Sequence, residues 1–328
     1  MDLCSHPAGQ LTRLFPARDY ITGDRFDIAR CGACGFTVTL PAPSFEELGK
    51  YYPAGYYGSS GGKRFPRLVE KLQDLLYSHR VREVENCRGG SPGRVLDVGC
   101  GRGLLLRAFR ENGWDVLGTE MSETSAAYPR DVLKLPVRVG DLAGFKFPDS
   151  LFDAVVMWHV LEHVADPRAM LREVNRVLRP GGIFLVGVPN FGSFEARMCE
   201  DRWFHLDVPR HLIQFTPESL REALVGAGFT ISETSFFAPE YDCFSFVQSA
   251  LNNCGLRQNL LYNLLRGQGA KVLHGEQPGL GQIAVTLLLS VPLGLLSVPA
   301  ALLAGVLSQG ATVTMYARKK EPARTPRA

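Results

Sequence analysis

Three groups of residues have types and spacings that chemistry could use. The first is the run Asp97-Val98-Gly99-Cys100-Gly101-Arg102-Gly103, which closes a short apolar stretch, Arg94–Val98, and precedes a helical one, Leu104–Asn112. A strand, a glycine turn and a helix start bring backbone N–H groups and the positive end of a helix dipole to one point. Glycines there let a ligand come close. About 20 residues on, Glu120 ends the next strand, where an acidic side chain can accept both hydroxyls of a ribose. Gly140-Asp141-Leu142 follows a third strand, where a carboxylate can take the amino group of adenine. The plainer alternative is a tight turn with surface acids nearby.

The second group consists of histidines. Histidine is the usual proton acceptor near neutral pH, and open α/β sheets bind ligands at the carboxyl ends of their strands. His159 follows the apolar run Phe152–Trp158, and His163 lies one helical turn later. The segment Asp201–Phe215 gathers Trp203, His205, Asp207, Arg210 and His211. Each histidine could equally be a satisfied structural residue. The third group is Cys31-Gly-Ala-Cys34-Gly35, two thiols on a glycine turn, suited to tetrahedral zinc. A partner pair is expected upstream, and Cys4-Ser5-His6 is available, with one residue between ligands where two is usual. Such a zinc would be structural, because a small module has little core of its own.

The elements that must position these residues follow from periodicity. Leu68, Leu72, Leu75, Leu76 and His79 fall at helical spacing, so this helix is expected to pack on the next domain. From Arg94 onward strands alternate with helices: strands at 94–98, 115–119, 137–139, 152–158, 183–188, 229–236 and 311–317, with helices at 104–112, 167–178 and 217–227 between the first six. The fold class is α/β: a Rossmann-like, doubly wound sheet. The expected organisation is a zinc-ribbon-like, Tyr-rich module over 1–60, a linker and amphipathic helix over 61–93, a core over 94–240, an apolar helical insertion over 241–310, and a last strand with a basic tail over 311–328.

With these residues in place, a family is visible. Asp-x-Gly-x-Gly-x-Gly, Glu120, Gly140-Asp141-Leu142, Phe152-Asp153-Ala154-Val155-Val156, Leu161-Glu162-His163-Val164 and Leu178-Arg179-Pro180-Gly181-Gly182 together resemble the class I methyltransferases. The resemblance covers about 94–240 and the final strand, and implies the seven-stranded sheet of that family. It implies S-adenosylmethionine as cofactor, and the glycines at 99, 101 and 103 depart from the Gly-x-Gly-x-x-Gly of dinucleotide-binding dehydrogenases. By the same resemblance Asp97, Gly99, Cys100, Gly101 and Gly103 would hold the methionine moiety, with the backbone around Trp158 facing it. Glu120 would hold ribose, and Met121, Asp141 and Leu142 would frame adenine. Pro209-Arg210-His211-Leu-x-x-Phe-Thr resembles an acceptor-side segment of relatives that methylate small molecules. His211 is therefore the first candidate for general base, ahead of His205 and His159, with Asp207 able to orient a histidine. Tyr51-Tyr52-Pro53-Ala54-Gly55-Tyr56-Tyr57 resembles a segment of zinc-ribbon-bearing methyltransferases that could serve as a lid, or as interdomain packing.

The 328 residues are 45% hydrophobic and 21% charged, with a net charge of +3, too small to argue for nucleic acid. The start of the chain shows no secretory signal, and eight cysteines suggest metal or thiols in a reducing, cytoplasmic compartment. Between Glu276 and Arg318 there is no charged residue, and 283–307 is long enough to cross a bilayer, although Pro292, Gly294 and Pro299 interrupt it. A buried helix, a single span and a membrane-touching hairpin broken at the prolines are the alternatives. The hairpin is preferred, since the last strand must rejoin the sheet, and Arg318, Lys319 and Lys320 would suit anionic headgroups. The expected activity is O-methylation of a small-molecule, sugar or lipid-linked acceptor at the cytoplasmic face of a membrane. The competing readings are a nucleic-acid methyltransferase and a non-catalytic scaffold. Against the first, Trp158-His159-Val160-Leu161 stands where a base-flipping Asn/Asp-Pro-Pro-Tyr/Phe would be.

Overall fold

The computed structural model describes residues 8–52, 67–266 and 278–321. Its strands are β1 (Leu11–Arg18), β2 (Arg25–Cys31), β3 (Thr37–Leu40), β4 (Arg94–Val98), β5 (Asp115–Glu120), β6 (Val137–Val139), β7 (Phe152–Trp158), β8 (Leu178–Pro189), β9 (Ile213–Gln214), β10 (Phe229–Ser235) and β11 (Thr312–Lys319). Its α-helices are α1 (Phe45–Leu48), α2 (Arg67–Arg88), α3 (Leu104–Glu111), α4 (Glu123–Ala127), α5 (Pro167–Val177), α6 (Phe194–Cys199), α7 (Pro217–Gly226), α8 (Pro239–Asn253), α9 (Leu260–Leu265) and α10 (Leu280–Val306).

Seven strands form the main sheet in the order β10-β11-β8-β7-β4-β5-β6. Strands β8, β7, β4, β5 and β6 are parallel, and β11 runs antiparallel between β8 and β10. Both faces are covered, so successive residues of one strand enter different cores. Leu96, Val155, Phe184 and Met315 join the core under α5 and α7. Val95, Val156, Leu185 and Tyr316 join the other, against Tyr77, Val81, Leu106 and Phe109. Phe109 is fully buried and stacks edge-on to Trp114 at 5.4 Å, so truncation to Ala should cost about 3–5 kcal/mol. Strand β8 starts earlier than expected, because Leu178 pairs with Phe152 before the Pro180-Gly181-Gly182 turn.

Helix α2 exists and packs on the sheet, though Leu75 and His79 of the expected stripe are not part of that contact. Tyr77, Val81 and Val84 are buried, whereas Leu75 is 59% exposed and His79 also faces solvent. The side chains of Leu68 and Leu72 lie outside the described residues. The helix continues to Arg88, and its later i, i+4, i+7 stripe meets the sheet.

The N-terminal strands form an antiparallel sheet, β1-β2-β3-β9, whose fourth strand comes from the far side of the core. Phe36 and Val38 enter the main core, where Phe36 meets Phe215 edge-on at 5.7 Å. The Cys31 turn has the expected knuckle shape: Gly35 N–H donates to Cys31 O at 2.9 Å, with Gly35 at φ +71°. Cys4 and His6, the other expected zinc ligands, lie outside the described residues, as do Pro53–Tyr57 of the Tyr-rich segment.

The expected hairpin is replaced by one continuous helix, α10, 27 residues or about 40 Å long, with Pro292 and Pro299 inside it. Each proline leaves the carbonyl four residues back, at Leu288 and Leu295, without its N–H partner. Both residues are exposed (73% and 77%), so these carbonyls sit on the outer face, and packing of the inner face on α8 keeps the helix whole. Leu289 and Leu293 pack with Val247, Leu251 and Leu261, and Gly305 lies against Phe237, so α10 runs antiparallel along α8. Only 11% of its most apolar window, of mean hydropathy 2.2, is buried. Arg318 and Lys319, expected at headgroups, instead donate to the carbonyls of Gly181 and Leu178 at 3.0 and 2.7 Å.

Candidate active site

The glycine loop is shaped by local necessity. Gly99, Gly101 and Gly103 all have positive φ, and a Cβ on Gly99 would lie 2.6 Å from Val160 Cγ2. A Cβ on Gly103 would lie 2.6 Å from Pro129 Cβ. The N–H groups of Gly99 and Cys100 both donate to Thr119 O, tying the loop to β5. Gly103 caps α3. At the end of β5 the Glu120 carboxylate accepts from Gly101 N–H at 3.0 Å, Met121 N–H at 2.9 Å and Ser122 N–H at 3.3 Å. Asp97 is 3% exposed, and burial together with the charge of Glu120 pushes its pKa up to about 8.

These groups open onto one cavity of about 1320 Å³. Its wall includes Asp97, Gly99, Cys100, Gly101, Glu120, Met121, Asp141, Leu142 and Trp158 at one end. Gly103 alone of the expected cofactor residues is not on that wall. Trp158 is held in place by Arg80, whose guanidinium lies 3.5 Å above the ring and pairs with Glu240 at 2.6 Å.

The other end gathers all three candidate histidines. His159 takes φ +54°, a strained value for a non-glycine residue, and stacks on Tyr241 at 4.0 Å. His211 donates through Nδ1 to His205 O at 2.7 Å, which fixes that ring and turns Nε2 inward. Burial drives the His211 pKa down to about 4 and that of His205 well below its usual value, with neighbouring imidazoles adding to both effects. Nε2 of His211 lies 3.9 Å from Glu162 Oε1 and 4.0 Å from Asp207 Oδ2. Arg210, fully buried, binds Asp207 at 2.7 Å, Asp19 at 2.8 Å and the Tyr51 carbonyl at 2.9 Å, and so locks this loop to the N-terminal sheet. Phe244, Tyr262, Leu265 and Arg266 form the outer wall, and Tyr52 lines the cavity too.

Glu162 was visible only as part of a motif, and nothing local shows that it lies 1% exposed beneath three imidazoles. Burial would raise its pKa, but His159, His163 and His211 outweigh that and hold it at about 2. Tyr241, Phe244 and Tyr262 carried no sequence signal at all, since they come from helices beyond the recognisable core.

A methyltransferase domain family model matches residues 64–234. A protein of Mycolicibacterium smegmatis named as an S-adenosylmethionine-dependent methyltransferase is 32% identical over 53% of this chain, which spans just under two thirds (66%) of that relative's length. A ubiquinone biosynthesis O-methyltransferase of Mesorhizobium japonicum is 32% identical over 58% of this chain and 79% of its own length. The crystal structure of a SAM dependent methyltransferase from Archaeoglobus fulgidus covers 75% of this chain and 94% of its own, at 20% identity and TM-score 0.45. The chain belongs to the methyltransferase domain family, and its fold and cofactor loop make it a class I S-adenosylmethionine-dependent methyltransferase. Its relatives support a small-molecule acceptor in general terms.

Proposed function

We propose that the chain methylates a hydroxyl group of an amphiphilic acceptor, a sugar or lipid-linked molecule, at the cytoplasmic face of a membrane. The observation that carries this is the continuity of the cavity from the glycine loop to the histidine cluster, with an outer wall of Phe244, Tyr262, Leu265 and Arg266 in which Phe244 packs with Leu289 and Leu293 of α10. Asp97 and the loop would hold the methionine moiety, Glu120 the ribose, and Asp141 with Leu142 and Met121 the adenine. The acceptor oxygen attacks the sulfonium methyl carbon in line. The C–O bond forms as the C–S bond breaks, leaving S-adenosylhomocysteine, and the hydroxyl proton passes to Nε2 of His211. Burial keeps that imidazole neutral and ready to accept, and Glu162 and Asp207 stand where they stabilise the imidazolium formed.

The exposed face of α10 carries Leu287, Leu288, Val291, Leu295 and Leu296, and no charge. The unpaired carbonyls at Leu288 and Leu295 favour a shallow, interfacial position over the hydrocarbon centre. Zinc on Cys31 and Cys34, with Cys4 and His6, would staple the N-terminal sheet.

Mass spectrometry of molecules that co-purify with the protein identifies the acceptor. With it in hand, His211→Ala should lower turnover by roughly 10²- to 10⁴-fold, while S-adenosylhomocysteine affinity stays within about twofold. Full turnover in His211→Ala, His205→Ala and His159→Ala alike would leave the histidine cluster without a chemical role.

A further inference from the structure

The outer helix α10 is long and apolar, yet the residues it buries are Thr286, Ser297 and Ala301, none of them a large apolar side chain. Thr286 Oγ1 has no hydrogen-bond partner, and Cys243 of α8 faces Ser297. Leu289 and Leu293, only partly buried, supply the apolar contact with α8. A seam this short of buried apolar surface gains little from the hydrophobic effect, so charge beside it decides whether it holds. Two carboxyls flank the end of the seam nearest the C-terminus of α10. Asp242, in the first turn of α8, is 1% exposed. Its Oδ2 accepts from Ala238 N–H at 2.8 Å, and its Oδ1 has no partner. Gly310 and Thr312, from the chain leaving α10, close over it, and a Cβ on Gly310 would lie 3.5 Å from Oδ2. Glu195 of α6 accepts from Ser245 Oγ, about one turn further along α8, at 2.6 Å.

The cations nearby are engaged elsewhere. Arg80 of α2 pairs with Glu240 at 2.6 Å, and Arg197 of α6 donates to Gly192 O and to Gln309 Oε1. The other titratable neighbours are acids: Glu240 itself, and the thiols of Cys243 and Cys199. The segments 236–238 and 307–312 and the whole of α10 carry no charge. Burial pushes the Asp242 carboxyl up to about 7, with the charge of Glu240 adding to it. Burial, with the charge of Asp242, pushes Glu195 up to about 8. Protonated, the two groups are neutral and sit in the seam at little cost. Ionised, they are like charges removed from water with no cation paired to them.

We propose that Asp242 and Glu195 form a proton-operated latch: protonated, they clamp the first turn of α8 and the C-terminal end of α10 to the core, and ionised they release both. Release reaches the cavity, because the same part of α8 builds its wall. Glu240, Tyr241 and Phe244 line it, and Tyr241 stacks on His159 at 4.0 Å. Glu240 pairs with the Arg80 that covers Trp158. Loss of a proton from each carboxyl therefore loosens the wall where α8 meets the histidines. In the open form both carboxyls face water and titrate near ~4. Closure is accordingly strongest below that value and is lost as pH rises through about 7 for Asp242 and about 8 for Glu195. The latch is independent of what the cavity binds.

Amide hydrogen exchange of the full chain, corrected for the intrinsic dependence of exchange on pH, tests this at about pH 6 and about pH 8.5. Ionising Asp242 alone shifts the opening equilibrium by on the order of tenfold across that range. Protection of 239–253 and 297–312 should therefore fall together by at least tenfold, while β7 and β8 stay unexchanged through the same labelling times. Asp242→Asn keeps the side chain's shape and cannot ionise, so it should remove most of the pH dependence, and Glu195→Gln part of it. If Asp242→Asn does not fold, the wild-type pattern and its reduction in Glu195→Gln carry the test. Protection that is flat in pH would overturn the latch. So would segments that open only together with β7 and β8, which is ordinary unfolding, or a pH dependence unchanged in every variant that folds.

Discussion

If Asp97 receives the ammonium of the cofactor's methionine moiety, binding must expel a proton. In the free protein the carboxyl is buried at the end of β4 and its pKa stands at about 8, through desolvation first and the charge of Glu120 second. At pH 7 roughly nine molecules in ten then carry a protonated Asp97, and ionising it costs about 1.4 kcal/mol. Calorimetry with S-adenosylhomocysteine in buffers of different ionisation enthalpy counts the protons released. At pH 7 the count should be about 0.9, and affinity should rise close to tenfold per unit between about pH 5.5 and 7.5. Asp97→Asn should abolish both the release and the slope. The sign for stability is opposite. A raised carboxyl pKa means the folded state holds the extra proton, so stability falls as pH rises from the unfolded value near ~4 toward about 8. Asp97→Asn should accordingly stabilise the cofactor-free protein at pH 8 by at least about 1 kcal/mol, or roughly 2 °C or more in Tm. No proton release by folded wild type, with affinity flat in pH, would refute this account of Asp97.

Gly99→Ala adds a Cβ 2.6 Å from Val160 at φ +70°, and should weaken S-adenosylhomocysteine binding at least tenfold by calorimetry, with a stability loss of about 1–3 kcal/mol. Full-length protein should sediment with anionic vesicles, and Leu288→Asp/Leu295→Asp should abolish this without changing the circular dichroism spectrum; a wild type that ignores vesicles would reassign the face of α10. Elemental analysis after dialysis should find about one more zinc in wild type than in Cys31→Ser/Cys34→Ser, and equal metal in both would leave the cysteines as thiols.

Most of the core was legible because its signals are local. The strands at 94–98, 137–139 and 152–158 are short apolar runs punctuated by Gly, Asp or Trp, and each stands where the sequence places it. The cofactor loop is contiguous in the chain, so its chemistry was readable as well. The acceptor end was not, because Glu162, His211 and Tyr241 meet only through tertiary packing. The two prolines argued for a break near 292 and 299, and the long contact of α10 with α8 outweighed that local preference. Which turns of α2 meet the sheet was not legible for a similar reason: leucines at helical spacing do not say which turn of the helix reaches it.

The pairing of β3 with β9 sets the order in which this chain can finish folding. Synthesis delivers β1, β2 and β3 first, yet Val38 has no strand partner on its outer edge until Ile213 has been made. Phe36 likewise needs Phe215. Through this interval the nascent chain displays an open sheet edge and an apolar face, the two features that invite pairing with other chains. Closure then couples both ends of the fold at once, since Arg210 reaches Asp19 as β9 docks. A version of the protein begun after β3 would inherit the opposite problem, a core with its N-terminal cover missing, and should be found in inclusion bodies.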